Sequence, residues 1–167
     1  LDYATATPVS QPVQVAMKPF FSEDYGNPSS LHAEGQKAKQ ALEDSRKIIA
    51  RVISARTEEV VFTSGGTESW NLAIRGTGKA LGKKLGHFIA SSIEHPAVLE
   101  PFLELKKQGH SLTLLDVDSE GRVSLKDLEK AVRPETFLVS LMYANNEIGT
   151  LEPISEVGRL LKRMNQQ

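Results

Sequence analysis

Residues 63–69 read TSGGTES, between the apolar run EEVVF and the helical pattern WNLAIRG. A helix start leaves several backbone N–H groups without partners and carries partial positive charge. Glycines let a backbone come close to a ligand, and hydroxyls add hydrogen bonds. The combination makes an anion site whose common occupant is phosphate. Gly65, Gly66 and Thr67 sit where such a site needs them. The same letters also fit a plain strand-to-helix turn capped by Ser64 or Thr67, with Glu68 favouring the first turn. They form neither a Walker A loop nor a GxGxxG fingerprint, because the glycines are adjacent and no Gly-Lys-Ser/Thr follows.

Two further polar clusters share this placement. In SSIEHPAV (residues 91–98), His95 falls at a helix entrance and Pro96 at a favoured first-turn position. An imidazole there can stack on a flat ligand or move a proton, or simply face solvent. In MYANNEIG (residues 142–149), Asn145 and Asn146 are turn formers with Gly149 closing the loop, or one of them bonds to a ring substituent. Ligands of open α/β sheets gather beyond the carboxyl ends of strands. A phosphate cradle, an imidazole and an amide at three such ends suit a phosphorylated, planar, aromatic ligand. Pyridoxal phosphate fits that description without being singled out by it. His32, His87 and His110 have neither i, i+4 spacing nor Cys company, so they read as structural or exposed, and no metal is expected. Asp116 and Asp118 read as a solvated turn before Gly121.

The elements that must position these residues follow from periodicity. Residues 10–21 are broken by Pro12 and Pro19, and FSEDYGNPSS is rich in turn formers. Residues 30–53 predict a helix, with Ala38, Ala41, Leu42, Ile48, Ile49, Val52 and Ile53 on an apolar stripe and Lys39, Glu43 and Lys47 on the wet face. Strands are predicted over 60–63, 87–91, 111–117 and 136–143, alternating with helices over 68–81, 96–108, 125–132 and 154–164. Such alternation predicts an α/β fold, a mainly parallel sheet with helices on both faces. The chain stops on KRMNQQ where a strand should come next, so residues 1–167 are expected to be the first part of a longer protein.

Composition narrows the class. The 167 residues suit one domain or part of one, and 40% hydrophobic content is enough for a core. Twenty basic and 21 acidic residues nearly cancel, to a net charge of −1. No electrostatic case for nucleic acid or an acidic membrane surface remains. No apolar run could span a bilayer, and LDYATATPVSQP lacks a signal peptide's basic start and apolar stretch. A soluble cytoplasmic protein is the expectation, or a mitochondrial matrix one if eukaryotic. The absence of Cys excludes disulfides and thiolate metal sites within these residues.

LDYATATPV, YGNPSSLHAEGQKA, VVFTSGGTESWNLAIRG, SSIEHPAVLEP and LVSLMYANNEIGTLEPI occur in the order and spacing of the class V aminotransferases. The chain most resembles the NifS/IscS-type cysteine desulfurases, over essentially its whole length. The resemblance implies the N-terminal part of the large domain of a fold-type I, pyridoxal 5′-phosphate-dependent transferase. By it, Gly66 and Thr67 match the pair that holds the cofactor phosphate. His95 matches the histidine that stacks on the pyridine ring and transfers protons. Asn146 matches the asparagine near the ring hydroxyl and substrate. The implied reaction takes sulfur from L-cysteine, giving alanine and an enzyme persulfide for iron–sulfur cluster or thio-cofactor assembly. A homodimer and a sulfur-acceptor or scaffold protein are the implied partners.

Three departures qualify the match. The family's Asp opposite the pyridine nitrogen, with its nearby Gln, is expected after Gln167. The Ser-x-His-Lys motif that bears the Schiff-base lysine, and the persulfide Cys, are absent from these residues. Thr5-Ala6 stands where the family usually has Ala-Thr. The isolated chain is therefore expected to be inactive. The alternatives are a selenocysteine lyase or other class V enzyme, and a non-catalytic scaffold that binds a desulfurase or a sulfur acceptor.

Overall fold

The computed structural model describes Tyr3 and residues 6–165. Two compact units make up the chain, one of them Thr7–Phe62, the other built on the residues from Thr63 onward.

In the first unit, helix α1 (Gln11–Met17) runs into a 3₁₀ turn, Lys18–Phe21. Each carries a proline in its first turn, where the missing N–H costs nothing. Helix α2 (Ala33–Val52) starts at His32, whose Nδ1 accepts the Gly35 N–H at 3.3 Å. The predicted apolar stripe is not uniformly buried. Ala38, Ala41 and Leu42 are half-buried, whereas Ile48, Ile49, Val52 and Ile53 are exposed. Arg46 instead folds inward, its guanidinium 4.9 Å from the centroid of the Phe62 ring.

The strand predicted over residues 60–63 does not form. Val60 has extended dihedrals, φ −95° and ψ 121°, but a strand also needs a ladder partner. Its N–H goes back to the Thr57 carbonyl, and its carbonyl accepts from Arg46 Nη1. Local groups have taken what a neighbouring strand would need.

The second unit is a three-stranded parallel sheet, β1 (His87–Ser91), β2 (Ser111–Leu115) and β3 (Thr136–Ser140), in the order β2-β1-β3. Helix α3 (Gly66–Ala80) precedes β1, α4 (Pro96–Lys107) joins β1 to β2, α5 (Leu125–Ala131) joins β2 to β3, and α6 (Ile154–Met164) follows β3. The central strand HFIAS is buried throughout. Successive side chains of a strand face opposite ways, and two cores result. Phe88 and Ala90 pack with Ile74 of α3 and with Val98, Phe102 and Leu105 of α4. Ile89 packs on the other face with Leu115, Val123, Leu128 of α5, and Val157 and Leu160 of α6. The expected covering of both faces is therefore present. Strands β2 and β3 end earlier than predicted. Beyond β2, Val117 turns aside into an antiparallel bridge with Val123.

Topology positions the site. From β1 the chain steps to β2 over the α3/α4 face, then crosses back to β3 over the α5/α6 face. After β1 and after β3 it leaves toward opposite faces. This is a topological switch point, where open α/β sheets leave a crevice beyond the carboxyl ends of two strands.

Candidate functional site

Three segments meet this carboxyl edge of the sheet. Helix α3 returns to β1 through residues 81–86, so its N-terminus lies toward the far end of β1. Helix α4 starts just past that same end, and the loop after β3 leaves the parallel neighbour there. Gly78 of α3 sits against Leu105 of α4, and Arg75 pairs with Glu104, which holds the two helices side by side.

The seam at residues 63–69 folds without a side-chain cap on α3. The capping position is Gly65, not Ser64 or Thr67 as the turn reading has it. Ser64 donates both its N–H and its hydroxyl to Glu68 Oε2, each at 2.6 Å. These two bonds hold the Glu68 carboxyl below its ordinary range. Thr63 Oγ1 and Ser69 Oγ share a hydrogen bond at 2.6 Å, and the Gly65 carbonyl, 3.2 and 3.1 Å from them, accepts the hydroxyl proton that this bond leaves free. The hydroxyls thus fix the loop, and none of them caps the helix. A Cβ added at Gly65 or Gly66 would meet no atom within 4 Å, so open space lies in front of them. Thr67 is exposed, its carbonyl accepting from Asn71 Nδ2.

His95 caps α4. Its Nδ1 accepts the Ala97 N–H at 3.0 Å, which pins an otherwise exposed ring. A ring nitrogen that accepts is unprotonated, so the other nitrogen, Nε2, carries the proton. The two asparagines divide the alternatives between them. Asn145 is buried, and its Oδ1 accepts the N–H groups of Glu147 and Ile148 at 2.9 and 3.1 Å. It is the turn former, and Gly149, at φ 74°, closes the loop with an N–H to the Asn145 carbonyl. Asn146, half-buried, sits next along.

The structure brings His95 and Asn146 together in one cleft of about 300 Å³, walled by Ile93, Glu94, Asn145 and Ile148. No lysine lines it. Gly66 and Thr67 stand at the same edge of the sheet but do not line this cleft. Thr5, in the departure noted above, lies outside the described residues.

The sequence reading passed over Glu94. Only 5% exposed, it accepts from Ser91 Oγ at 2.9 Å and from the Met142 N–H at 2.6 Å. Burial pushes its carboxyl above the ordinary range. A carboxylate wedged between a strand end and a capping histidine was the available signal. The other histidines are structural. His110 Nδ1 accepts the Gly86 N–H, its ring edge-on to Phe88, and His87 lies between the hydroxyls of Thr113 and Thr136. Asp118 closes its turn by accepting the N–H groups of Glu120 and Arg122.

Known proteins agree on one family. Residues 1–166 match the family profile described as aminotransferase class V. The cysteine desulfurase IscS of Dictyoglomus turgidum is 52% identical over 162 residues, covering 97% of this chain and 41% of that protein. The putative cysteine desulfurase IscS 1 of Bacillus subtilis is 48% identical, covering 97% and 43%. Among solved structures, a NifS-like protein superposes with a TM-score of 0.92 at 39% identity, over 99% of this chain and 45% of that one. SspA in complex with cysteine gives 0.91 at 41%, over 98% and 47%. The chain thus spans less than half the length of each of these relatives. With a profile match over nearly every residue and the sheet superposed on its relatives, the chain belongs to the class V aminotransferase family.

Proposed function

We propose that the protein is a pyridoxal 5′-phosphate-dependent cysteine desulfurase, in which Gly66 and Thr67 hold the cofactor phosphate while His95 and Asn146 attend its ring. The observation that carries this reading is the shared cleft of His95 and Asn146, at the switch point and at the sheet edge where α3 presents an uncapped N-terminus. Class V aminotransferases use this cofactor. The residues present fit it. A Cβ at Gly65 or Gly66 would meet no atom within 4 Å, so a ligand can come close to the backbone that opens α3, and the neighbouring Ser64 amide already takes an anionic oxygen from Glu68. A dianion would gain there from the N–H groups, the Thr67 hydroxyl and the positive end of the helix.

When bound, the cofactor supplies an electron sink for carbanion chemistry at the substrate. The chain's own residues orient and move protons. His95, held by its cap and lining the cleft, would supply a flat imidazole face and a proton on Nε2. Asn146 offers an amide for a ring substituent. Overall, L-cysteine exchanges its C–S bond for C–H and becomes alanine, and the sulfur passes to an enzyme thiol as a persulfide. These 167 residues contain no Cys, so they do not supply that thiol. The same reading includes a cytoplasmic homodimer that passes sulfur to an acceptor protein for iron–sulfur cluster assembly. Relatives named cysteine desulfurase IscS support the desulfurase part of this reading; the compartment, the dimer and the acceptor are part of the proposal alone.

The full-length protein tests it. Purified with cofactor, it should show a visible absorbance band and release alanine from L-cysteine, with selenocysteine as a parallel substrate. Thr67→Ala should weaken cofactor binding by about ten- to a hundredfold, the worth of one hydrogen bond to a charged group. His95→Ala should keep the cofactor and lower kcat by about a hundredfold or more. Absence of both band and alanine from the wild-type protein would overturn the reading.

A further inference from the structure

One side chain in the cleft wall does work that neither cofactor binding nor proton transfer accounts for. Glu94 lies in the turn between Ser91, the last residue of β1, and the capping His95. Carboxylates are rarely this deeply buried unless paired. Its Oε1 accepts from Ser91 Oγ and also from the backbone N–H of Met142, two residues beyond the end of β3 and 48 residues away in the chain. Asn145 returns the tie. Its Nδ2 donates to the Ile93 carbonyl at 3.4 Å, while its Oδ1 shapes the turn that carries Asn146. The turn bearing His95 and the loop bearing Asn146 are therefore cross-linked twice, once in each direction.

We infer that Glu94 is a positioning residue: its Oε1 clamps the Met142 amide to the end of β1, so that His95 and Asn146 hold a fixed separation across the cleft, an inference that rests on the desulfurase reading above. The clamp needs an acceptor and not a charge. Burial raises the Glu94 carboxyl, the Met142 and Ser91 hydrogen bonds offset part of that rise, and the Glu152 carboxylate adds to it. A carbonyl oxygen in the same place serves equally well.

The test uses the full-length holoenzyme. Glu94→Leu keeps the volume and removes the acceptor. It should lower kcat by about a hundredfold, the cost of an ångström's misplacement at a reacting centre. It should also diminish the visible circular dichroism of the bound cofactor, which reports how the ring is held. Glu94→Gln retains a carbonyl oxygen and should recover most of both signals. In a His95→Ala background, Glu94→Leu should cost much less than it does in the wild type, because the placement of His95 is then already lost. Should Glu94→Leu fail to fold, Ser91→Ala removes one donor from Oε1 and should shift kcat and dichroism in the same direction by less. A wild-type protein with no cofactor band defeats the desulfurase reading itself. With the wild type active, the positioning role is overturned by any of three results: an unchanged Glu94→Leu (or Ser91→Ala in its place), a Glu94→Gln as impaired as Glu94→Leu, or additive losses in the double variant.

Discussion

His87 opens the central strand with its ring held between two threonine hydroxyls, Nδ1 2.8 Å from Thr136 Oγ1 and Nε2 2.8 Å from Thr113 Oγ1. A neutral imidazole offers one donor and one acceptor to such a pair. Burial lowers its pKa, and the nearby Arg133 adds to the effect. A folded-state pKa below the unfolded value of about 6.5 means that the unfolded chain binds the extra proton first. The stability this group contributes is complete above about pH 6.5 and is lost as the pH falls from there through the lower folded-state pKa. Glu94, raised by burial, acts in the opposite sense, losing stability as the pH rises above its unfolded value of 4.5. Glu34, Asp44, Glu59, Glu68, Asp118 and Asp127 are all lowered, so their contributions vanish at more acid pH. A difference between two proteins cancels these background groups. Urea unfolding at about pH 7.5 and about pH 5 should show a smaller loss of stability on acidification for His87→Gln than for the wild type. Equal losses would show that His87 titrates alike in both states.

At the scale of elements, packing between α3 and α4 sets where the two N-termini stand, and one glycine governs how closely they pack. A Cβ on Gly78 would lie 2.4 Å from Leu105 Cδ2, and Leu105 is itself buried in the core beside Phe88 and Phe102. Overpacking of this kind costs about 1–3 kcal/mol, while alanine returns at most about 1 kcal/mol as the better helix former. Gly78→Ala should therefore be destabilising in chemical unfolding. Gly76→Ala, in the same helix but with no atom within 4 Å of the added Cβ, should stabilise by about 0.5–1 kcal/mol. Opposite signs at two positions a half-turn apart would separate contact from propensity, and equal effects would deny it. Helices α2 to α6 and three of the strands were legible because their periods are strong: HFIAS and the α6 stretch appear with the bounds their patterns predict. Helix α1 was not, because Pro12 and Pro19 read as breaks although each falls in a first turn, where a proline is tolerated. The strand at 60–63 was misread because alternation reports which side chains are apolar and says nothing of whether a backbone has a partner. Arg46, fourteen residues earlier, had already taken the Val60 carbonyl. Site residues divide the same way. His95 and the Asn145-Asn146 pair stood out by type at strand ends, and only the family resemblance pointed to Asn146, whereas the role proposed for Glu94 depends on an amide 48 residues away that no local pattern announces.

At the scale of the molecule, the sheet of the second unit has β1 at its centre and β2 and β3 at its edges. Strand β3 is the more vulnerable. It is apolar along TFLVS, and its Phe137 is 50% exposed. Beside it runs a groove of about 860 Å³ lined mainly by Val132, Phe137, Val139, Leu161 and Met164, with Arg133 as its one charged residue. An edge strand presents unpaired N–H and C=O groups, and an apolar edge without charges is a template for pairing with another chain. Strand β2 carries two exposed residues of its own, Ser111 and Leu114, but only one of them is apolar. The 167-residue chain expressed alone should therefore self-associate through β3. Light scattering from about micromolar to about millimolar concentration should show its mass rising with concentration. Phe137→Lys, which puts a charge on that edge, should shift the rise to higher concentration, and Leu114→Lys on the opposite edge should not. If the unaltered chain stayed monomeric throughout, or if both lysines acted alike, the β3 edge would not be what draws copies together, and the association would have to lie in the exposed apolar side chains of other elements.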